Sequence, residues 1–127
     1  MTELIYPKLS YIVVGICFKV HNDLGRFQRE VSYANRLEEY LIKHKIQYHR
    51  EEQITKIFNA EVRGDIPDFV LEKKIILDLK AKRFIKKDDY YQMKRYLTNA
   101  HLKLGIIVNF RDLYLKPKRV LNIRFDI

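Results

Sequence analysis

The chain has 127 residues, of which 47% are hydrophobic and 32% are charged, and it contains a single cysteine, Cys17. This composition excludes a disordered or disulfide-stapled protein and predicts one globular domain over residues 1–127 in a reducing, cytoplasmic setting. The net charge of +9 favours contact with a polyanion such as nucleic acid, although a basic surface that serves only solubility would give the same count.

Two helices are predicted in the first part of the chain. Residues 10–22 include the apolar run YIVVGICF, which is too short to span a bilayer, so we expect a buried helix of a soluble protein that ends near Gly25. Residues 26–45 form the second helix, because apolar residues recur at helical spacing in one stripe: Phe27, Val31, Ala34, Leu37 and Leu41. Glu30 projects into this stripe, where a carboxylate is costly unless a cation meets it. The alternative is that Glu30 lies at the edge of the packing and joins a salt bridge.

Strands dominate the middle of the chain. Residues 47–57, 66–71 and 75–81 are predicted strands, and residues 59–64 are a connection or a further short strand. A helix over 88–100 follows, then a buried strand over 103–109 and an edge strand over 120–125. This order predicts a mixed central β-sheet flanked by helices, which is an α/β or α+β fold.

The predicted hairpin PDFVLEKKIILDLKA (residues 67–81) carries charged side chains in the most hydrophobic strand. Alternation puts Asp78 and Lys80 on the face opposite to the neighbouring leucines. A three-residue turn at 72–74 pairs Leu71 with Ile75 and sets Asp68 opposite Asp78, with Cβ atoms about 5 Å apart. Two carboxylates that close repel each other unless a cation lies between them, which favours a site for Mg²⁺ or Mn²⁺. The alternative is that Asp78 and Lys80 face solvent from an edge strand while Asp68 caps a turn.

The order Pro67-Asp68 followed by Asp78-x-Lys80 resembles the signature of the PD-(D/E)XK nuclease superfamily. In this resemblance Glu30 corresponds to the helical glutamate that many members add to the metal site. The implied fold is a restriction-endonuclease-like core.

Two further segments support the same resemblance. Gln92 and Tyr96, one helical turn apart, resemble the Gln-xxx-Tyr motif of the exonuclease branch. LGRFQREVSYANRLEEYL (residues 24–41) resembles the signature helix of the small prokaryotic GxxExxY proteins, with Glu30 and Tyr33 at the named positions. The segments DFVLEKKIILDLKA, YYQMKRYL and GIIVNF match that family in order. The chain departs from it at Asp78, where the family usually has Glu, and at Arg26-Phe27, which alters the glycine-rich start of the helix.

The resemblance implies a nuclease that depends on Mg²⁺ or Mn²⁺ and acts on DNA in preference to RNA. Asp68 and Asp78 are the expected metal ligands, with Glu30 as a further direct or water-mediated ligand. Lys80 is expected to position the attacking water, and Gln92 to orient Lys80 or a substrate phosphate. Tyr33 and Tyr96 are expected either to support the site or to serve only in packing. Six basic residues are expected to contact nucleic acid: Lys82, Arg83, Lys86, Lys87, Lys94 and Arg95.

The sequence leaves several alternatives open. The chain could be a catalytically inactive nuclease-fold module that binds nucleic acid or a protein partner. It could also be an interaction protein whose basic face keeps it soluble. A homodimer, and a protein partner that supplies specificity, are both compatible with the sequence.

Overall fold

The computed structural model describes residues 5–59 and 64–122. Within them lie four helices and five strands, in the order α1 (Pro7–Leu24), α2 (Glu30–Lys43), β1 (Tyr48–Arg50), α3 (Ile54–Phe58), β2 (Phe69–Leu71), β3 (Ile75–Lys80), α4 (Lys87–Ala100), β4 (Leu104–Asn109) and β5 (Lys118–Leu121). No helix in this described part of the chain is both long and apolar enough to cross a membrane.

The five strands form one mixed sheet in the order β1-β2-β3-β4-β5. β3 and β4 run parallel and are joined by α4, whereas the other neighbouring pairs are antiparallel. The predicted mixed α/β fold is therefore confirmed. Because β3 lies in the centre of the sheet, the alternative that Asp78 and Lys80 face solvent from an edge strand is wrong.

Helices cover both faces of the sheet, which explains the alternation along β3. Leu77 and Leu79 pack in a core with residues of α1 and α2, whereas Ile76 packs in a second core with α3 and α4. The α4 layer approaches β4 closely at Gly105, where a Cβ atom would collide with the Met93 side chain. Asp78 and Lys80 share the face of Ile76, and so they point toward the α4 layer.

The first helix is longer than predicted and only partly buried. It begins at Pro7, since proline is well suited to the first helical position, and it ends at Gly25, which adopts a φ of 74°. The expectation of a buried helix is wrong for its outer face, where Tyr11 is 81% and Phe18 41% exposed. The apolar run therefore supplies more hydrophobic surface than the sheet covers.

The second helix begins four residues later than predicted, at Glu30. Its predicted stripe is buried at Leu37 and Leu41 but not at its first members, because Phe27 is 73% and Val31 50% exposed. Glu30 is itself exposed, so the expectation that it faces the core is wrong. The physical reason is that Phe27 precedes the first turn of α2, so the helix does not place this part of the predicted stripe against the sheet.

Several other boundaries differ from the prediction: β2 begins at Phe69 rather than at residue 66, and β5 begins at Lys118 rather than at residue 120. The predicted strand over 47–57 is wrong beyond Arg50, because Glu51 adopts a φ of 51° and α3 follows at Ile54. Ile54 and Ile57 are buried on one side of this short helix, whereas a strand would place them on opposite faces. Residues 60–63 of the predicted connection and the end of the predicted last strand beyond residue 122 lie outside the described residues.

Candidate active site

Two aspartates face each other across the β2–β3 hairpin in the predicted register. Leu71 pairs with Ile75 and Phe69 with Leu77, and one step further along the ladder sets Asp68 opposite Asp78. The Asp68 backbone N–H donates a hydrogen bond to Asp78 Oδ1 (3.1 Å), and the Leu79 N–H donates one to Asp68 Oδ2 (2.7 Å). Each carboxylate is thus anchored by one oxygen, while its other oxygen stays outside these backbone hydrogen bonds.

Asp78 is buried and Asp68 is half-buried, so the ionised form of each carboxylate is costly. Asp78 is only 3% exposed, and its burial together with the nearby charge of Asp68 raises its pKa from 3.8 to about 6. Burial also raises the pKa of Asp68, although the Leu79 N–H and the Lys80 charge oppose that shift. Two adjacent acids with raised pKa values are stabilised by any cation that binds between them.

Lys80 lies beside the aspartates at the end of β3 and is held by α4. Its Nζ donates a hydrogen bond to Gln92 Oε1 (3.3 Å) and lies 3.9 Å from Asp78 Oδ2. The parallel β3–α4–β4 arrangement brings α4 over this strand end, so Gln92 meets Lys80 as the sequence motif predicts. One turn later, Tyr96 is buried, and its burial and the charges of Asp78 and Asp65 raise its pKa to about 12.

Asp89 is a member of the site that the sequence motifs did not reveal. It lies 3.8 Å from Lys80 Nζ, and 2.6 Å separates its Oδ2 from Lys82 Nζ. It also accepts a hydrogen bond from the Lys86 N–H (2.8 Å), which caps the start of α4. Burial acts to raise its pKa, but these lysine contacts hold its pKa below the usual value. The acidic pair at the start of the predicted helix was the available signal, because such residues often cap helices.

The loop after Lys80 is fixed by Asn109, a second residue that no sequence motif singled out. Asn109 is 2% exposed, and its side chain donates to the Lys82 C=O (2.7 Å) and accepts from the Lys82 N–H (3.2 Å). The Phe110 N–H donates to the Lys80 C=O (2.9 Å). These bonds hold the basic segment in place as it leaves the sheet.

Glu30 approaches the aspartates from the other side of the sheet. It lines a cavity of about 260 Å³ together with Asp68, Glu51 and three apolar residues of α2 and β3. Although Glu30 is exposed as a residue, partial burial of its carboxylate and the charge of Asp68 raise its pKa, and the opposing effects of Lys80 and Lys82 are smaller. The charge of Glu51 in turn raises the pKa of Asp68. Glu51 was not predicted, because nothing in the edge-strand pattern distinguishes it from a solvent-exposed acid.

The three predicted metal ligands do not form one cluster. Within residues 5–59 and 64–122, no group of three or more acidic, histidine or cysteine side chains is placed to hold an ion jointly. Asp68 and Asp78 are brought together, whereas Glu30 shares only the cavity with Asp68.

Tyr33 holds the turn that leads into α2. Its hydroxyl donates to the Gly25 C=O (2.6 Å) and accepts from the Gln28 N–H (3.1 Å). Its buried ring stacks on Phe110, with 4.3 Å between ring centroids. Tyr33 therefore fixes the backbone ahead of Glu30, and the described contacts of its side chain do not include the aspartates.

The predicted basic residues lie in the segment between β3 and α4 and along α4 itself. Lys82 is tied to Asp89, and Arg95 pairs with Asp65 through Nε at 3.1 Å, so part of each charge is neutralised locally. The other four are exposed: Arg83, Lys86, Lys87 and Lys94.

A family model described as the PD-(D/E)XK nuclease superfamily matches residues 7–120 of the chain. Neither the curated proteins nor the solved structures include a match.

Proposed function

The chain belongs to the PD-(D/E)XK nuclease superfamily, and from this premise we propose that it hydrolyses phosphodiester bonds of nucleic acid with a divalent metal ion. DNA is the proposed substrate in preference to RNA. One observation carries the proposal: Asp68 and Asp78 oppose each other across the hairpin, with the Lys80 amine 3.9 Å from Asp78. If Lys80 and Asp78 formed only a structural salt bridge, the neighbouring carboxylate of Asp68 would weaken that bridge and would have no role.

The donor set suits Mg²⁺ or Mn²⁺. Asp68 and Asp78 offer oxygen ligands, which hard cations prefer, and the raised pKa of Asp78 reflects a charge that lacks compensation. Glu30 would add a further ligand, either directly or through water. When bound, such an ion would neutralise the charge that develops on a phosphate and polarise a coordinated water.

Lys80 is proposed to hold the attacking water and to offset negative charge on the phosphate. Its Nζ has three hydrogens, and its contacts with Gln92 and Asp89 fix the position of the amine rather than leave it mobile. Gln92 is proposed to orient Lys80, whose amine it accepts a hydrogen bond from, or to contact a substrate phosphate. Asp89 balances the lysine charges and keeps the start of α4 against the site.

We also propose that the chain is of the GxxExxY type. The match of Glu30 and Tyr33 to the named positions supports this, and the Tyr33 contacts give the tyrosine a role at the start of α2. A second candidate function is an inactive nuclease-fold module. It is favoured by one observation, namely that Glu30 does not share a ligand cluster with the aspartates in the described residues.

The test is hydrolysis of single-stranded DNA, double-stranded DNA and RNA with Mg²⁺ or Mn²⁺. Asp78→Ala and Lys80→Ala should each reduce the rate by at least about 100-fold, the loss seen when a charge-stabilising group is removed from an active site. Lys103→Ala is the matched control, because Lys103 is exposed and precedes β4 at the opposite end of the sheet. Cleavage that survives both site substitutions would come from a contaminant and would overturn the proposal.

Metal-dependent stability separates the two candidates without an activity assay. A working site should raise the Tm as Mg²⁺ or Mn²⁺ saturates it. An inactive binding module whose carboxylates hold no ion should show the same Tm with and without metal.

A further inference from the structure

Apolar side chains are exposed at the rim of the candidate active site. Phe27 is 73% exposed and precedes Glu30 by three residues, and Val31 is 50% exposed and lines the same cavity as Glu30 and Asp68. Their helical spacing predicted burial, yet no element of the described chain covers them. A large aromatic ring that is exposed to water beside the proposed nucleic-acid site indicates a ligand that can pack against the ring.

Two arginines lie close to the Phe27 ring, and one of them also contacts the residue that follows β3. The guanidinium carbons of Arg26 and Arg111 lie 4.9 and 5.6 Å from the ring centroid. Arg26 Nε donates to the Arg111 C=O (2.8 Å), and Arg111 Nε donates to the Arg26 C=O (3.2 Å). Arg111 also donates to the C=O of Ala81, the residue after Lys80 (3.5 Å).

The backbone that carries the ring is held in place. The Tyr33 hydroxyl bonds to Gly25 on one side of the Arg26-Phe27 pair and to Gln28 on the other. The exposed ring is therefore presented on a braced turn, and a ligand would meet it without a large loss of backbone entropy.

An exposed aromatic ring among guanidinium groups is the surface that proteins use to bind unpaired bases. Every base has a face that can stack, whereas bases inside a duplex are already stacked on each other. The net charge of +9 and the flanking arginines supply the complementary charge for the phosphates on either side of the base. A protein partner fits better on the apolar surface of α1, where Tyr11, Ile12 and Phe18 are exposed.

We propose that Phe27, with Arg26 and Arg111, stacks an unpaired nucleotide next to the scissile phosphate, so that the substrate class is single-stranded nucleic acid or an unpaired segment of a duplex. This inference rests on the proposed function for the cleavage step, but not for binding. Arg26, Phe27 and Arg111 together form the stacking platform.

The experiment measures binding of the full chain to a fluorescein-labelled oligonucleotide of about 12 nucleotides, a length within the range that one binding domain covers. The single strand and its duplex are compared by fluorescence anisotropy in EDTA at one fixed salt concentration. Phe27→Ala should weaken single-strand binding by about 10-fold or more, the usual effect of removing one stacking ring. Duplex binding should change much less.

Three further variants make the test specific. Phe27→Tyr should keep single-strand affinity, because it keeps the ring, whereas Phe27→Leu should lose it while retaining an apolar side chain. Tyr11→Ala is the matched control, because this ring is 81% exposed on α1 and lies outside the platform. Thermal unfolding of each variant identifies any that fail to fold.

Equal single-strand affinities of Phe27→Ala and the unmodified chain would overturn the proposal. So would an equal loss on the single strand and the duplex, or full retention by Phe27→Leu. These outcomes are independent of cleavage, because the binding assay contains no metal. A failure of hydrolysis with intact Phe27-dependent binding would instead overturn the proposed nuclease function and leave the platform standing.

Discussion

Replacing the Asp78 carboxylate by an amide should stabilise the metal-free protein at neutral and basic pH. The rise in its pKa from 3.8 to about 6 corresponds to about 3 kcal/mol between the protonated and the ionised native state. Native Asp78 therefore binds its proton more tightly than unfolded Asp78 does. The resulting stability is complete below about pH 4 and is lost as the pH rises through about 6, so the ionised carboxylate destabilises the fold at pH 8.

Asp78→Asn keeps the side-chain oxygen that accepts the Asp68 N–H and removes the charge. In EDTA at pH 8 we expect the variant to be more stable than the unmodified chain by about 1–3 kcal/mol, since the pKa of Asp78 already includes its attraction to Lys80. At roughly 4 °C per kcal/mol for a chain of this size, thermal unfolding followed by circular dichroism resolves the difference. At pH 4 the difference should vanish.

Two comparisons decide whether Asp78 is a strained carboxylate. Asp88→Asn is the matched control, because Asp88 is exposed, and its substitution should change the stability by less than about 1 kcal/mol. Addition of Mg²⁺ should raise the Tm of the unmodified chain and leave that of Asp78→Asn unchanged. An Asp78→Asn protein that is less stable than the unmodified chain at pH 8 without metal would refute the assignment of a strained buried carboxylate.

Three other substitutions or treatments have expected outcomes. Tyr33→Phe removes a hydroxyl with two hydrogen bonds and should lower the free energy of unfolding by about 1–2 kcal/mol in urea titrations; an unchanged midpoint would contradict the bracing of the turn. Asp89→Asn frees Lys82 from its ion pair and should tighten oligonucleotide binding a few-fold at low salt, so weaker binding would contradict the local charge balance. Cys17 is fully buried with a pKa raised to about 12 by burial, so a thiol reagent at pH 8 should label it only after unfolding; rapid labelling of the native chain would show that α1 opens.

The hairpin was predictable because its information is local. A three-residue turn fixes the pairing of Leu71 with Ile75, and a period of two then places Asp68 against Asp78 without any knowledge of the rest of the fold. The contact between Lys80 and Gln92 was predictable only through the family motif, since nothing in the spacing says which strand end α4 covers.

The start of α2 was not predictable, for a physical reason. The spacing shows that a helix through Phe27 and Val31 would align them with the later leucines. It does not show that a helix begins at Phe27 or that another element covers these two side chains. Asp89 and Glu51 were missed for a related reason. Their roles depend on which charges the fold brings beside them, and an acid in a polar segment carries no sign of that in the sequence.

The fold fixes the relative positions of Asp68 and Asp78 more firmly than the position of Glu30. A shift of Asp78 relative to Asp68 would require a register slip, and a slip of one residue would turn the aliphatic residues of β3 to the wrong face. Glu30 is constrained far less, because it is the first residue of α2, is exposed, and borders a cavity that Asp68 also lines. The Tyr33 hydroxyl fixes the backbone ahead of Glu30 but leaves its side-chain torsions free. Rotation of this exposed side chain therefore moves the Glu30 carboxylate within the cavity without any movement of the sheet. The same braced turn carries Phe27, so one short segment would position both the third acid and the unpaired base.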